Sequence, residues 1–159
     1  TTGTANMFVV EHLSGINSLH PTSGTSVEAV NAVSVDDYCT DNNIPHLNFV
    51  KSDVEGFDLS VLLGAQQLLS AGHCYIWQFE YNYRWIHSRT FLKDVFAFIE
   101  DKPYVLGKLY GNGIDIYEHW HPELERYFEC NCVLVNRNSP LMRITRQARI
   151  SKSNAAYYL

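Results

Sequence analysis

Apolar and polar residues alternate along the chain in patterns that predict an ordered series of strands and helices. Short runs rich in β-branched and aromatic residues predict strands at residues 5–13, 30–35, 46–50 and 73–81. The last of these runs, HCYIWQFEY, is almost unbroken, which is typical of a strand covered on both faces. Apolar positions three and four residues apart predict one helix over residues 57–69, ending near Gly72, and another over residues 90–102.

Turn residues separate these elements. Residues 14–26 are rich in Gly, Ser, Asn and Pro and predict a surface loop, and Asp36 or Asp37 is expected to cap a brief helical turn. The segment GNG at residues 111–113 stands between two extended segments, which favours a hairpin turn over a ligand-binding loop. A helical turn in residues 121–128 and a last strand at residues 132–137 complete the order.

From residue 46 onward, predicted strands and helices alternate. This order is typical of an α/β fold with a mostly parallel sheet and helices on both faces. In such sheets, ligands bind outside the carboxyl ends of the strands. Ser52, Asp53 and Glu55 follow one predicted strand, while Glu80 ends the next. We therefore expect Asp53 and Glu80 to lie at the same sheet edge and to face one crevice.

Composition and charge narrow the classes of protein. A chain of 159 residues with 46% hydrophobic residues is long enough for one domain with a core of its own. The formal net charge of −5 argues against a nucleic-acid or anionic membrane surface, and no apolar run approaches the ~18 residues of a membrane helix. The four cysteines form no paired C-x-x-C motifs, so we expect reduced thiols and a cytoplasmic location.

The last stretch differs from the rest in charge. Arg143, Arg146, Arg149 and Lys152 make residues 138–159 locally basic, and we expect a solvated tail after a domain that spans residues 1–137. Residue 1 is Thr and not Met, which allows the chain to be one piece of a longer protein.

Two further clusters invite chemical interpretations. In EYNYRW, residues 80–85, the aromatic rings and Arg84 could bind a sugar or another ring-shaped ligand. The structural alternative is that the aromatic residues shield the sheet edge. In EHWHPE, residues 118–123, alternate histidines could share one face as metal ligands, but no further convergent ligand accompanies them and we expect no metal. The other histidines are scattered singly, and we expect structural or exposed positions for them.

The sequence resembles the later half of the FkbM-family methyltransferases. The segment FVKSDVEGFDLSVLLGA, residues 49–65, is similar to the family signature K-I-D-V-E-G-x-E-x-x-V-L-x-G-A, and VNAVSVDDYC is similar to the V-x-T-L-D-D-Y segment before it. The segments GINSL, IWQFEYN and TFLKDVFAFIEDKPYVLGKLY extend the resemblance from about residue 17 to residue 135. Two positions depart from the signature, because Ser52 replaces an apolar residue and Asp58 replaces a glutamate.

The resemblance implies a Rossmann-like class I methyltransferase sheet with an antiparallel late strand, and S-adenosylmethionine (SAM) as the cofactor of the intact protein. It implies cofactor-binding roles for Ser52, Asp53 and Glu55, and Asp53 and Glu80 are the candidates to accept a proton from the acceptor hydroxyl. For Asp53 and Glu55, helix capping is the structural alternative. We expect substrate contacts from Tyr81, Asn82, Arg84 and Trp85.

Family members carry a glycine-rich turn after the first strand and a ribose-binding acid after the second, and neither occurs upstream of residue 17. We therefore expect a partial, carboxyl-terminal methyltransferase domain that lacks the first strands and binds SAM weakly by itself. Its acceptor is expected to be a saccharide or another small metabolite. The alternative is a non-catalytic module for packing or partner binding, and in either case the open sheet edge favours self-association.

Overall fold

The computed structural model describes residues 2–10, 17–21, 26–151 and 155–158. Within these ranges the chain forms nine strands and five α-helices. The strands are β1 (Gly3–Val9), β2 (Ser26–Ala32), β3 (Leu47–Ser52), β4 (Cys74–Tyr81), β5 (Tyr104–Tyr110), β6 (Gly113–Tyr117), β7 (Cys130–Asn136), β8 (Thr145–Ile150) and β9 (Ala156–Tyr158). The helices are α1 (Val35–Asp41), α2 (Asp58–Leu63), α3 (Gln66–Ser70), α4 (Trp85–Ser88) and α5 (Leu92–Ile99). No helix in these ranges is long and apolar enough to cross a membrane.

The first two strands form a separate antiparallel hairpin. Gly3 pairs with Ala32 at one end of this hairpin, and Val9 pairs with Ser26 at the other. Both strands begin earlier than the apolar runs predict, and residues 11–13 of the first predicted strand lie outside the described residues. The hairpin is a two-stranded sheet and is not part of the larger sheet.

The larger sheet has the strand order β3-β4-β7-β5-β6-β8-β9. The pairs β3–β4 and β6–β8 are parallel, whereas the pairs β4–β7, β7–β5, β5–β6 and β8–β9 are antiparallel. The expectation of a mostly parallel sheet is therefore wrong, and the sheet is mixed. The reason is that β7 runs antiparallel between β4 and β5, while β6 returns from β5 through a tight hairpin.

Within this mixed sheet, the local predictions for the central elements are confirmed. β3 and β4 are parallel neighbours, and β5 runs in their direction although β7 separates it from β4. The late antiparallel strand that the family resemblance implies is β7. The segment GNG forms the turn of the β5–β6 hairpin, in which Tyr110 pairs with Gly113.

The sheet buries apolar side chains on both faces. The larger cluster includes Trp77, Phe79 and Tyr81 of β4 and packs against the helices. The smaller cluster lies on the opposite face, where Ile76 packs against buried residues of β5, β6 and β7. Tyr75 at the start of β4 is exposed, and Ile76, Gln78 and Glu80 on the second face are only half-buried, so the expectation of a strand covered on both faces holds only in part. The carboxyl end of β4 is the place where polar side chains meet solvent.

The single helix predicted over residues 57–69 is divided into α2 and α3. Gly64 ends α2, and its carbonyl oxygen accepts a hydrogen bond from the backbone N–H of Asp36 at 2.9 Å. The Asp36 carboxylate in turn accepts from the backbone N–H groups of Gln67 (2.8 Å) and Leu68 (3.0 Å) at the start of α3. A side chain from another part of the chain therefore satisfies donors that a continuous helix would have used internally.

The cap of α1 also differs from the prediction. Ser34 is the N-cap, and its hydroxyl accepts from the backbone N–H of Asp37 at 3.1 Å. Asp36 and Asp37 lie inside the first turn of the helix, where their negative charge is favourable near the helix N-terminus.

The basic final segment extends the sheet through β8 and β9. Arg146 of β8 does not extend freely into solvent as the charge pattern predicts. It donates two hydrogen bonds, at 3.0 and 2.6 Å, to the carboxylate of Asp115, which is buried in β6. Tyr158 of β9 donates to the other oxygen of Asp115 at 3.0 Å. One buried carboxylate therefore anchors both added strands, whereas Lys152 lies outside the described residues.

Candidate functional site

The carboxyl ends of β3 and β4 lie side by side. Ser52 pairs with Phe79 in the parallel register, so Asp53 and Glu80 follow at the same edge of the sheet. The prediction that they share an edge is confirmed. Burial raises the pKa of Glu80, and the negative charges of Asp53 and Glu129 raise it further. The carboxylates are thus close enough to repel one another, and a positively charged group or a hydrogen-bond donor bound here would reduce that repulsion.

A tight turn leads from β3 into α2. Glu55 and Gly56 both have left-handed backbone conformations, with φ of 55° and 95°. A Cβ at Gly56 would lie only 2.7 Å from the carbonyl oxygen of Arg84, and the Ser88 hydroxyl donates to the Gly56 carbonyl at 2.6 Å. Only glycine allows this turn to pack against the segment that follows β4. The close approach predicted for Gly56 therefore joins the two strand-end segments to each other.

Glu55 and Arg84 form an ion pair across this contact. The Arg84 guanidinium lies 2.9 Å from a Glu55 carboxylate oxygen, and the two side chains are 24% and 13% exposed. Burial raises the pKa of Glu55, and the neighbouring Arg84 charge opposes that rise. Glu55 is outside α2, so the pair fixes the turn rather than capping the helix.

Asp53 is the exposed acid of the group. Its carboxylate accepts from the Lys51 ammonium at 2.5 Å, and both side chains are almost half-exposed. The residue at the N-cap of α2 is Phe57, and no side-chain hydrogen bond caps this helix. The capping alternative for Asp53 is therefore wrong in this structure, and its carboxylate faces Lys51 and solvent.

Asn82 holds the carboxylate of Glu80 in place. Its side-chain amide donates to Glu80 at 2.7 Å, while its carbonyl oxygen accepts from the backbone N–H of Arg84 at 2.8 Å. Asn82 is buried, so its amide is fixed by both contacts. Glu80 and the Arg84 backbone are thereby linked through one side chain.

Ser52 and Asp58 lie beneath the edge. The Ser52 hydroxyl is buried and accepts from the indole N–H of Trp77 at 3.2 Å. Asp58 is fully buried, and neither carboxylate oxygen makes a well-formed hydrogen bond with the residues that the structure describes. Burial raises the pKa of Asp58 to about 6, although the nearby Ser52 hydroxyl and the backbone of Asp58 and Val54 partly oppose this shift. The sequence marks Asp58 only as a departure from the family signature.

Tyr81 and Trp85 are placed in the core. Both side chains are fully buried, and their rings meet edge to face with centroids 5.0 Å apart. The Tyr81 hydroxyl donates to Glu125, and the Trp85 indole donates to the Glu80 carbonyl oxygen at 2.8 Å. Because protein covers both rings, neither ring is exposed to a ligand.

A cavity of about 230 Å³ opens beside the Glu55–Arg84 pair. The residues around it come from the N-terminal hairpin region, the turn after β3 and the segment around α4: Val10, Ser18, His20, Glu55, Tyr83, Arg84 and His87. The His20 ring stacks on Phe57 with centroids 4.2 Å apart and lies 5.6 Å from the His87 ring. Sequence reasoning treats these histidines as isolated, because 66 residues separate them and no motif joins them.

The segment EHWHPE has partners of its own. Glu118 pairs with Arg137 at 2.5 Å, and the His121 ring accepts from the backbone N–H of Glu123 at 3.2 Å, at the start of a helical turn. Across the described ranges, no group of three or more His, Cys, Asp or Glu side chains is arranged to hold a metal ion.

The edge of the sheet at the carboxyl ends of β3 and β4, which we call the strand-end edge, suits a ligand with positive charge or hydroxyl donors. It gathers the carboxylates of Asp53, Glu55 and Glu80 above the buried Asp58, and among the described residues Lys51 pairs with Asp53 and Arg84 with Glu55. A cationic sulfonium or the hydroxyls of a ribose would relieve the repulsion among these acids, so the residues present fit SAM. In the described part of the chain, the close glycine pair at residues 111–113 forms the β5–β6 hairpin turn, which lies at the same edge of the sheet with β7 between β4 and β5.

Comparison with protein families gives one match. A family model described as the Methyltransferase FkbM domain matches residues 3–106, which is more than half of the chain. The matched range contains β1 through the start of β5, including the strand-end acids and the described residues around the cavity. No curated protein and no solved structure matches the chain significantly.

Proposed function

This chain belongs to the FkbM methyltransferase family, and from that premise we propose that it serves SAM-dependent methyl transfer to an oxygen of a saccharide or another small metabolite. In this proposal the chain supplies the carboxyl-terminal part of a Rossmann-like class I methyltransferase domain. The β3–α2–α3–β4 unit with its antiparallel neighbour β7 is that part of the sheet. The glycine-rich turn of the cofactor cradle is then supplied by sequence outside these 159 residues.

The observation that carries the proposal is the convergence of Asp53 and Glu80 at one edge of the sheet, where the turn that follows Asp53 carries Glu55 to the wall of an open cavity. SAM, when bound, supplies a methyl group on a positively charged sulfur. The residues of this chain then hold the cofactor and align the acceptor, which is the main catalytic requirement for so activated a methyl group.

The roles divide by exposure. Asp53 is accessible and can accept a hydrogen bond from a ribose hydroxyl or from the acceptor, whereas Glu55 and Ser52 shape the turn and its floor. Glu80 is held by Asn82 and adds negative charge beside Asp53. On the acceptor side, Tyr83 and Arg84 border the cavity, and Tyr83 is 56% exposed.

The alternative is a non-catalytic module that keeps the sheet for association. One observation favours it, because β3 ends the sheet and pairs only with β4 among the described strands. Phe49 on this edge strand is 56% exposed. An exposed edge with an apolar side chain is a template for pairing with another strand, so we propose that isolated chains self-associate through β3.

Calorimetric titration of SAM separates the two candidates. We expect weak or undetectable SAM binding to this chain alone and clear binding to a longer polypeptide that also carries the glycine-rich turn. Light scattering on the same samples reports self-association. Tight binding by the chain alone would remove the partial-domain proposal, and no binding by the longer polypeptide would favour the non-catalytic module.

We expect Asp53→Asn to lower methyl transfer by the SAM-binding polypeptide by about 10²-fold or more while leaving stability nearly unchanged. The Asp53 side chain is almost half-exposed and caps no helix, so its charge is dispensable to the fold. Asp101→Asn is the matched control, because Asp101 is also exposed and lysine-paired but belongs to another part of the molecule. Equal turnover in both variants, measured beside thermal unfolding, would move the site away from Asp53.

A further inference from the structure

The cavity beside Glu55 and Arg84 is built from three separate parts of the chain. Ser18 is held to β1 by two backbone hydrogen bonds with Phe8, at 2.8 and 3.2 Å, and this fixes the segment that carries His20. Phe57 follows the turn after β3 and provides the surface on which the His20 ring stacks. His87 comes from α4, so distant parts of the sequence meet around one small volume.

Burial and nearby positive charges lower the pKa of His20. The cavity places Glu55, Arg84 and His87 around this imidazole, along with the neutral side chains of Ser18 and Tyr83. Burial lowers the pKa of His20 below 6.5, and the positive charges of His87 and Arg84 lower it further. Glu55 also borders the cavity, and its carboxylate is paired with Arg84 at 2.9 Å. The imidazole is therefore neutral near pH 7, and a neutral imidazole can accept a proton.

The carboxylates nearby are weaker candidates for that task. Asp53 is paired with Lys51, Glu55 with Arg84, and Glu80 accepts a hydrogen bond from Asn82. Asp58, whose pKa is raised to about 6, is fully buried beneath the edge. General bases work best when their pKa lies near the operating pH, and the reference pKa of histidine, about 6.5, is nearer neutrality than that of a carboxyl group, about 4.

The walls of the cavity indicate the class of acceptor. A volume of about 230 Å³ is below the roughly 300–1,000 Å³ of pockets for drug-sized ligands, so it suits one ring rather than a long chain. Tyr83 offers a half-exposed aromatic ring on one side, with Arg84 and the two imidazoles as polar partners. An aromatic face with several hydrogen-bonding groups suits a hydroxylated ring such as a sugar.

We propose that this cavity binds a single hydroxylated ring of the methyl acceptor and that His20 accepts the proton of the acceptor hydroxyl, with His87 as the second imidazole of the pocket. The inference rests on the proposed methyl transfer. The hydroxyl O–H bond would break and its proton would move to an imidazole nitrogen, while the electron pair of the oxygen forms the bond to the methyl carbon. The bond between that carbon and the sulfonium sulfur would break in the same step, and its electron pair would stay on sulfur, which leaves as a neutral thioether. Glu80 and Asp53 then keep an electrostatic role in this step.

The first test needs neither cofactor nor turnover. Histidine-labelled protein is titrated with methyl α-D-glucopyranoside and followed by NMR, with the His20 and His87 signals assigned from His20→Phe and His87→Gln variants. We expect saturable shifts of both signals and none at His46, whose ring contacts Tyr75 on another surface. A His20 pKa below 6.5 is expected in the same spectra. Absence of shifts at His20 and His87 would overturn the acceptor pocket.

The second test compares variants in the SAM-binding polypeptide. His20→Phe keeps a ring against Phe57 but removes the base, so we expect turnover to fall about 10²-fold or more with unchanged KM for SAM. Wild-type turnover should rise with pH until His20 is neutral, and the variant should lose that rise. His46→Phe is the matched control. Turnover by His20→Phe equal to that of the control would overturn the role of His20.

Failures of the two proposals are distinguishable. If the wild-type polypeptide transfers no methyl group but methyl α-D-glucopyranoside still shifts His20 and His87, then the methyltransferase proposal fails and the pocket remains. If methyl transfer occurs and the His20→Phe variant matches the wild type in rate and in pH profile, then the methyltransferase proposal remains and His20 is not the base. Thermal unfolding of each variant identifies loss of rate that comes from loss of folding.

Discussion

Two buried aspartates in this molecule have opposite surroundings. Asp115 of β6 is 2% exposed, and its carboxylate accepts two hydrogen bonds from Arg146 and one from Tyr158. Asp58 at the start of α2 is 0% exposed, and its oxygens have no hydrogen-bond partner in the part of the chain that the structure describes. The fold therefore compensates the buried Asp115 carboxylate with three direct hydrogen bonds and leaves Asp58 largely uncompensated, with only partial stabilisation from the Ser52 hydroxyl and the nearby backbone.

The two aspartates lie in different parts of the fold. Asp115 lies where β8 and β9 join the sheet, and its pairing with Arg146 and Tyr158 holds those strands. Asp58 lies beneath the strand-end edge, beside Ser52 and within the field of Asp53. An uncompensated buried carboxyl reduces stability when it is charged, so a protein keeps one most readily where its chemistry is needed. Asp115 therefore has a structural role, whereas Asp58 is a candidate for a role in the site, and this distinction depends only on their surroundings.

Removing the partner of the compensated aspartate should have the larger effect. We expect Arg146→Met to lower the free energy of unfolding by about 2–3 kcal/mol. Breaking a fully buried ion pair costs about 3–5 kcal/mol, and the loss here is smaller because the Arg146 side chain is 39% exposed. Methionine keeps much of the side-chain length, so the loss reports the charge left on Asp115. Urea unfolding measures it directly.

Arg126→Met is the control for that measurement. Arg126 pairs with Glu123 at the surface and is 56% exposed, so its removal should change stability by less than about 1 kcal/mol. Equal losses in free energy of unfolding for the two variants would mean that burial of Asp115 does not strengthen its pairing with Arg146. In that case the contrast between the two aspartates would not hold.

Much of the fold follows from local sequence signals. Amphipathic spacing places α5, the apolar run predicts β4, and the segment GNG predicts the β5–β6 turn. The mixed sheet does not follow from such signals, because the insertion of β7 between β4 and β5 depends on contacts between residues that are far apart in sequence. The break between α2 and α3 has the same cause, since Asp36 caps α3 across 31 residues.

The candidate site is predictable to the extent that strand order fixes it. Because the carboxyl ends of parallel neighbours meet, the adjacent positions of Asp53 and Glu80 follow from the prediction of two parallel strands. Burial is harder to predict, and Tyr81 and Trp85, expected to contact substrate, lie in the core. The cavity around His20 and His87 requires the N-terminal hairpin region to reach α4, and no periodicity signals that contact.

Replacing the uncompensated aspartate should change stability in the opposite direction. The pKa of Asp58 is raised from 3.8 to about 6 in the folded protein, so the folded state binds this proton more tightly than the unfolded state. The stabilisation from the bound proton is fully present below pH 3.8 and is lost as pH rises through about 6. One pKa unit corresponds to about 1.4 kcal/mol, which gives a loss of about 3 kcal/mol by pH 7.5.

We expect Asp58→Asn to remove this loss, because asparagine carries no charge. Its amide is also buried without partners, so the net gain at pH 7.5 should be only about 1–2 kcal/mol, and no gain should appear at pH 4. Urea unfolding from pH 4 to pH 7.5 measures the difference between variant and wild type, and Asp101→Asn is the exposed control. The difference for Asp58→Asn should grow with pH, since only the wild type acquires a buried charge. A difference that stays constant over this range would mean that Asp58 has the same pKa in the folded and unfolded states. Its carboxylate would then have hydrogen-bond partners that offset the cost of its burial.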